Sequence, residues 1–159
     1  MGATYRQNKI FLDTLKEVSW NIVEQAHFVS SGRENFESHN LHFFYSIDDA
    51  LKAGEVDGIL FSGVLQYLES PYDLLRSLEK YRFDYILIDR TPFSMDNRDR
   101  ITIQHVPKTI YEASYPCRFL SEEKFLQAIG SAYKVVEWFI PELERGLQYR
   151  GCILKRSER

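Results

Sequence analysis

Val56-Asp57-Gly58-Ile59-Leu60-Phe61 is a short apolar run that breaks into Ser62-Gly63-Val64-Leu65-Gln66-Tyr67-Leu68-Glu69-Ser70-Pro71. Helical spacing follows at Tyr72, Leu74, Leu75 and Leu78, then a second apolar run, Tyr85-Ile86-Leu87-Ile88, which ends in Asp89-Arg90-Thr91-Pro92. Two near-continuous apolar strands joined by a crossover helix are what a parallel sheet covered on both faces requires. Ligands of such sheets sit beyond the carboxyl ends of the strands. Ser62, Gly63, Gln66, Tyr67, Asp89 and Arg90 stand at that edge, so function is expected there.

Upstream, Ile10, Phe11, Leu12, Leu15 and Val18 form the apolar side of a helix that Thr4 can cap, with Lys9, Asp13, Lys16 and Glu17 facing water. Ser19 to Gln25 reads as a strand with a carboxylate, Glu24, near its end, and Ala26 to about Phe36 as a weaker helix. Leu41 to Tyr45 is strand-like, and Ser46 can cap a short helix, Ile47 to Ala53, that Gly54 closes. Downstream, Ile101 to Val106 alternates like a half-exposed strand. Pro107, Pro116, Tyr111 and Tyr115 then mark an irregular segment of about twenty residues, a length usually reserved for function. Ser121 opens a helix to about Ala132. Two strands, Lys134 to Ile140 and Tyr149 to Lys155, joined through Pro141 to Gly146, predict an antiparallel pair. The alternation of elements predicts an α/β fold.

A chain of 159 residues suits one domain spanning 1–159. The net charge of −3 gives no reason to expect nucleic acid or an anionic membrane as partner. No apolar run approaches the roughly 20 residues of a membrane span, and the first residues lack the apolar stretch of a signal peptide. Cys117 and Cys152 stand alone, as free thiols of a cytoplasmic protein do. His39-x-x-His42 has no third ligand at suitable spacing, so no metal site is expected.

Five stretches together resemble a known family: Trp20-Asn21-Ile22-Val23-Glu24-Gln25, Ser62-Gly63-Val64-Leu65-Gln66-Tyr67-Leu68, Ile88-Asp89-Arg90-Thr91-Pro92-Phe93, Asp99-Arg100-Ile101-Thr102-Ile103-Gln104 and Ile110-Tyr111-Glu112-Ala113-Ser114-Tyr115-Pro116. The chain resembles class I S-adenosylmethionine-dependent methyltransferases, and more closely bacterial methyltransferase-like proteins of surface-polysaccharide gene clusters. The resemblance implies a Rossmann-like three-layer sandwich with a mostly parallel sheet and an antiparallel C-terminal strand. It implies S-adenosylmethionine as cofactor and a small-molecule acceptor, a saccharide or other hydroxyl compound. Glu24, with Gln25 beside it, matches the acid that holds the ribose. Ser46, Ile47 and Asp48 match the turn flanking the adenine, and Ser62, Gly63 and Gln66 the loop near the methionine and methyl group. Asp89 and Arg90 would face the acceptor. His105 is the general-base candidate, since an unperturbed imidazole titrates at about 6.5. Tyr67, Tyr111 and Tyr115 would line the acceptor pocket, aromatic faces being suited to sugar rings.

The sequence departs from the family at its start. The first strand and most of the Gly-rich loop are missing, and no Gly-x-Gly-x-x-Gly occurs anywhere. A truncated domain is therefore expected, with two strand edges short of a partner. Either the Trp20 and Ile59 strands pair directly, narrowing the cofactor cleft, or a second copy covers the edges as a homodimer. The alternative function is a non-catalytic, homo-oligomeric or binding module of the same fold; a nicotinamide-binding domain is disfavoured by the missing phosphate loop.

Overall fold

The structure is a computed structural model and describes residues 2–140 and 149–158, so the expected link Pro141 to Gly146 lies outside the described residues. The chain packs as two compact units, Met1–Val56 and Asp57–Arg159, each with its own parallel crossover.

In the first unit, α1 (Ala3–Leu12) precedes β1 (Trp20–Val23), α2 (Ala26–Asn35), β2 (Leu41–Phe44) and α3 (Ile47–Ala53). β1 and β2 run parallel, in register from Trp20↔Leu41 to Val23↔Phe44. The core is small: Val29, Leu41 and Phe43 are buried, with Tyr5, Trp20 and Ile22 packed against them. Gly32 is what lets α2 approach β2. A Cβ there would lie 2.4 Å from the Phe43 ring, so only glycine fits without moving the ring. Arg33 locks the same contact, its Nε and Nη2 donating to the Phe43 carbonyl at 2.9 and 2.7 Å. The helix cap expected at Thr4 falls inside α1; the N-cap is Gly2, in a left-handed conformation with φ 69°.

In the second unit, β3 (Gly58–Ser62), α4 (Pro71–Ser77) with a 3-10 extension (Leu78–Tyr81), and β4 (Tyr85–Pro92) form the expected parallel crossover, registered from Gly58↔Tyr85 to Ser62↔Asp89. There the resemblance to a mostly parallel sheet ends. The four-stranded sheet has the order β3-β4-β8-β7, in which β8 (Tyr149–Arg156) runs antiparallel to both β4 and β7 (Tyr133–Phe139). β5 (Arg100–Val106) and β6 (Ala113–Phe119) make a separate antiparallel ribbon.

Three expectations are corrected here. The segment read as irregular contains β6. Pro116 hid it, because proline cannot donate to a ladder and is confined to edge strands; β6 is such an edge, paired among the described residues only with β5. The strands are not covered on both faces: along β4, Ile86 and Ile88 are fully buried while the equally apolar Tyr85 and Leu87 are 41% and 36% exposed. Finally, among the described residues β1 pairs only with β2 and β3 only with β4, so the direct ladder between the Trp20 and Ile59 strands does not form.

The core of this unit gathers Ile86, Ile88, Cys152 and Leu154 from the sheet, with Leu75, Leu78, Phe125 and Ile129 from the helical side. Each fully buried large side chain contributes about 1.5–3 kcal/mol. Burial pushes the Cys152 thiol up to about 12 and the Cys117 thiol upward as well, so both are inert, free cysteines. α5 (Glu122–Ile129) begins at Ser121, whose hydroxyl accepts from the Lys124 amide at 3.2 Å, as its sequence predicts.

Candidate functional site

The carboxyl ends of β3 and β4 are tied together by side chains. The Ser62 hydroxyl donates to Asp89 Oδ2 at 2.9 Å, and Arg90 Nη2 donates back to Ser62 Oγ at 2.8 Å. Arg90 Nε lies 3.4 Å from the same carboxylate oxygen. Backbone follows suit: the Gly63 amide donates to the Asp89 carbonyl at 2.9 Å, with Gly63 in the left-handed region at φ 66°. A non-glycine residue there would be strained.

The reason Asp89 and Arg90 reach this edge is a break in register. The β4–β8 ladder shifts between Ile88 and Thr91, leaving Asp89 and Arg90 as a bulge. Bulges re-aim side chains and concentrate beside active sites. Arg90 adopts φ 48°, a conformation that costs a non-glycine residue about 1–2 kcal/mol. Gln66 closes the bulge from above. It sits on the 3-10 turn after β3 (Leu65–Tyr67), is 4% exposed, and its Nε2 donates to the Arg90 carbonyl at 3.2 Å. Its Oε1 is buried with no partner.

One residue on, the Tyr67 hydroxyl donates to Gln104 Oε1 at 3.0 Å, and its ring meets Tyr115 edge-on with centroids 5.3 Å apart. Tyr115 is paired with Gln104 across the ribbon, so both project from one face. Burial pushes the Tyr67 phenol upward, and the Tyr111 hydroxyl beside Tyr115 does the same to that phenol. All three tyrosines expected at the acceptor side are thus gathered. His105 is not with them. Successive strand residues point to opposite faces, and His105 lies on the face away from Tyr67, among exposed Ile101 and Ile103.

The residues expected to meet the cofactor on the first unit are simpler. Glu24 follows β1, is exposed, and its Oε2 accepts from the Gln25 amide at 3.0 Å. Ser46 caps α3, accepting from the Asp49 amide at 3.1 Å and donating to Asp49 Oδ2 at 2.7 Å. Ile47 is half-buried and Asp48 exposed in the first turn. Ser46 spends its hydroxyl on its own helix, whereas the exposed Glu24 carboxylate is bonded only to the neighbouring Gln25 amide among the described residues. A cavity of about 320 Å³ in this unit lies elsewhere: Val18, His39 and Asn40, which line it, precede β1 and β2 and put it at the amino ends of those strands.

Sequence reading missed a second cluster. The Asp99 carboxylate accepts from the Tyr72 hydroxyl, from the Ser121 amide at 2.9 Å and from Lys124 Nζ at 2.9 Å. Burial acts to raise its pKa, but these donors outweigh it and hold Asp99 below the usual carboxylate range. Tyr72, desolvated and facing that carboxylate, is pushed upward. Asn97, at φ 57°, accepts from Ser121 Oγ and the Glu123 amide, both at 2.9 Å. The cluster pins α4 to the start of α5. Asn97 and Asp99 stand 24 and 22 residues before the Ser121 cap, so no local signal in the sequence joins them to it.

No protein-family model matches this sequence, and no curated protein sequence does either. Solved structures do. A Listeria monocytogenes protein described as an S-adenosylmethionine dependent methyltransferase superposes with a TM-score of 0.66 at 10% identity, over 99% of this chain and 89% of that one. The N-terminal domain of EvdMO1, with SAH bound, gives 0.58 at 14% identity, over 95% and 70%. The 1,6-didemethyltoxoflavin-N1-methyltransferase of Burkholderia thailandensis gives 0.56 at 14% identity, over 99% and 68%.

The fold is that of the S-adenosylmethionine-dependent methyltransferases.

In that methyltransferase fold, the edge carrying Ser62, Asp89 and Arg90 is the one beyond the carboxyl ends of the strands, where ligands of open α/β sheets bind. Among the described residues no group of His, Cys, Asp and Glu could hold a metal ion, and no helix is long and apolar enough to cross a membrane.

Proposed function

We propose that this chain is an S-adenosylmethionine-binding, methyltransferase-like domain, acting on a hydroxyl of a saccharide or similar small molecule, and that its two units serve as one domain in the cytoplasm. What carries the reading is the exposed Glu24 carboxylate, directly after β1 and held in place by the Gln25 amide. A carboxylate at this position can accept from both hydroxyls of a ribose. Gln25, Ser46, Ile47 and Asp48 complete the adenosine side, while Ser62, Gly63 and Gln66 serve the transferred-group side. The residues fit such a guest: Glu24 has spare lone pairs, and Gly63 presents bare backbone whose nearest neighbour to an added Cβ is Gln66 Nε2 at 3.8 Å.

When bound, the cofactor supplies a methyl group on a sulfonium centre. The protein's own contribution is alignment: the bulged Asp89 and Arg90 hold a fixed geometry through Ser62 without waiting for ligand. Asp89 is better placed than His105 to take a proton from an acceptor hydroxyl, and it replaces His105 in that role. Tyr67, Tyr111 and Tyr115 offer ring faces to the acceptor. No Gly-x-Gly-x-x-Gly loop occurs in the 159 residues to cradle the methionine end.

Titration with S-adenosylhomocysteine, followed by saturation-transfer NMR, tests this. The adenosine protons should be saturated, and Glu24→Ala should reduce the ribose signals at least fivefold with the fold intact. Absence of transfer, or ribose signals indifferent to Glu24→Ala, sinks the reading. A second reading, a non-catalytic homo-oligomeric module, is favoured by β1 and β3 each having a ladder on one side only among the described residues. A dimer mass by light scattering with no cofactor uptake would select it.

A further inference from the structure

Gln66 is built in a way that a merely structural residue would not be. It is 4% exposed, yet its Oε1 is buried without a partner. A buried polar atom left unpaired carries the full desolvation penalty of that group. The orientation of the amide is not arbitrary. Its neighbour is the Arg90 carbonyl oxygen, 3.2 Å from Nε2, and an acceptor cannot face an acceptor, so the nitrogen must lie there. Anchoring the nitrogen leaves the oxygen on the other side of the same planar group. The anchor point is itself strained, since the Arg90 carbonyl belongs to the residue at φ 48° inside the bulge.

The charges around it point the same way. Arg90, the cation of this edge, is matched by Asp89, whose carboxylate lies 3.4 Å from Nε and also accepts from Ser62. A carboxylate offers about four acceptor sites, so Asp89 keeps lone pairs to spare. The edge therefore presents the Asp89 acceptor next to the exposed rings of Tyr67 and Tyr111, with Gln66 Oε1 buried below its surface and without a donor among the described residues.

We infer that Gln66 recognises the acceptor molecule by accepting a hydrogen bond from it, and that this molecule is a ring bearing neutral hydroxyls or an amine, not a carboxylate or phosphate. The inference rests on the methyltransferase reading for what the site is for, and adds which residue selects the substrate and by which chemistry. Gln66 acts by satisfying its own orphaned oxygen: a ligand lacking the donor leaves that oxygen unpaired, which is the kind of penalty that makes polar discrimination strong.

The test uses the full chain and four probes at equal millimolar concentration: methyl glucoside, methyl glucosaminide, glucuronate and glucose 6-phosphate. Saturation-transfer NMR should rank the first two above both anions. Gln66→Met, which removes the orphaned oxygen, should weaken the neutral and amino glycosides at least tenfold while leaving the urea midpoint unchanged or higher. Gln66→Glu should keep methyl glucoside within threefold and tighten methyl glucosaminide. Anions binding better than the glycosides, no binding by any probe, or glycoside binding indifferent to Gln66→Met would each overturn the inference. If Gln66→Met lowers the urea midpoint, the residue is structural and the inference also falls. S-adenosylhomocysteine is titrated into the same samples. Its failure to bind sinks the methyltransferase reading, whereas the glycoside ranking judges Gln66 separately.

Discussion

The two parallel crossovers, β1–α2–β2 and β3–α4–β4, share a plan but finish their carboxyl edges differently. At the first edge the polar groups look after themselves: Glu24 touches the Gln25 amide and Ser46 caps its own helix. At the second edge they bind each other across strands, Ser62 to Asp89, Arg90 to Ser62, Gln66 to Arg90. The first can meet a ligand without breaking an internal bond. The second is preorganised, and its geometry depends on the β4–β8 ladder that produces the bulge. Its rigidity is set by strand pairing elsewhere in the sheet.

That difference can be broken at its source. Gly151 lies on β8, and a Cβ there would meet the Phe139 ring at 2.3 Å and the Ile88 carbonyl at 2.7 Å. A ring can turn; a ladder carbonyl next to the bulge cannot. Gly151→Ala should cost more than about 4 kcal/mol, at the far end of single-substitution effects. The chain's two tryptophans divide between the units, Trp20 in the first and Trp138 in the second. Urea unfolding followed by Trp138 fluorescence in a Trp20→Phe background should show the loss. A change below about 1 kcal/mol would mean β8 does not define the bulge.

Asp99→Asn comes next, at about 1.5–3 kcal/mol, the worth of hydrogen bonds to a charged group. Its sign with pH follows from the depressed pKa in the folded state. The stabilisation is complete above the unfolded carboxyl value of about 3.9 and is lost as pH falls through the lower, folded value. Wild type should therefore lose stability below about pH 4, and Asp99→Asn should flatten that limb when Trp138 unfolding is measured from pH 7 to 2.5. An unchanged acid limb would show that other carboxylates govern it. In the first unit, Gly32→Ala sets a clash with the Phe43 ring against a helix-propensity gain of about 1 kcal/mol. Overpacking of 1–3 kcal/mol leaves a net loss of about 1 kcal/mol, visible through Trp20 in a Trp138→Phe background.

These sites also mark what could be read from the sequence. The β3 and β4 runs, the caps at Ser46 and Ser121 and the placing of Glu24 and Ser62 at strand ends follow from local chemistry, and the structure places all of them so. Asp89 and Arg90, expected to end their strand, lie instead in a bulge within β4, which runs on to Pro92. Pairing does not follow from local chemistry. Nothing in Tyr149 to Arg156 announces insertion between β4 and β7, and it is that insertion which makes the sheet mixed and bends Asp89 and Arg90 outward. β6 was hidden because Pro116 reads as a breaker until its strand is known to be an edge. His105 was misplaced for a related reason: alternation says which residues share a face, but only the partner turn carrying Tyr67 says which face is inward.

The smallest effect probes the strain itself. Arg90→Gly removes a left-handed conformation worth about 1–2 kcal/mol and, with it, a half-exposed ion pair worth about 0–1 kcal/mol. Glycine also enlarges the unfolded ensemble by about 0.5–1 kcal/mol. The balance should be a gain of only a few tenths of a kcal/mol in the Trp138 transition, with Gln66 still able to donate to the residue-90 carbonyl. If stability instead falls by more than about 1 kcal/mol, the guanidinium is holding the bulge open rather than tolerating it. The strain at Arg90 would then be a consequence of its bonds to Ser62 and Asp89, not of the register shift against β8.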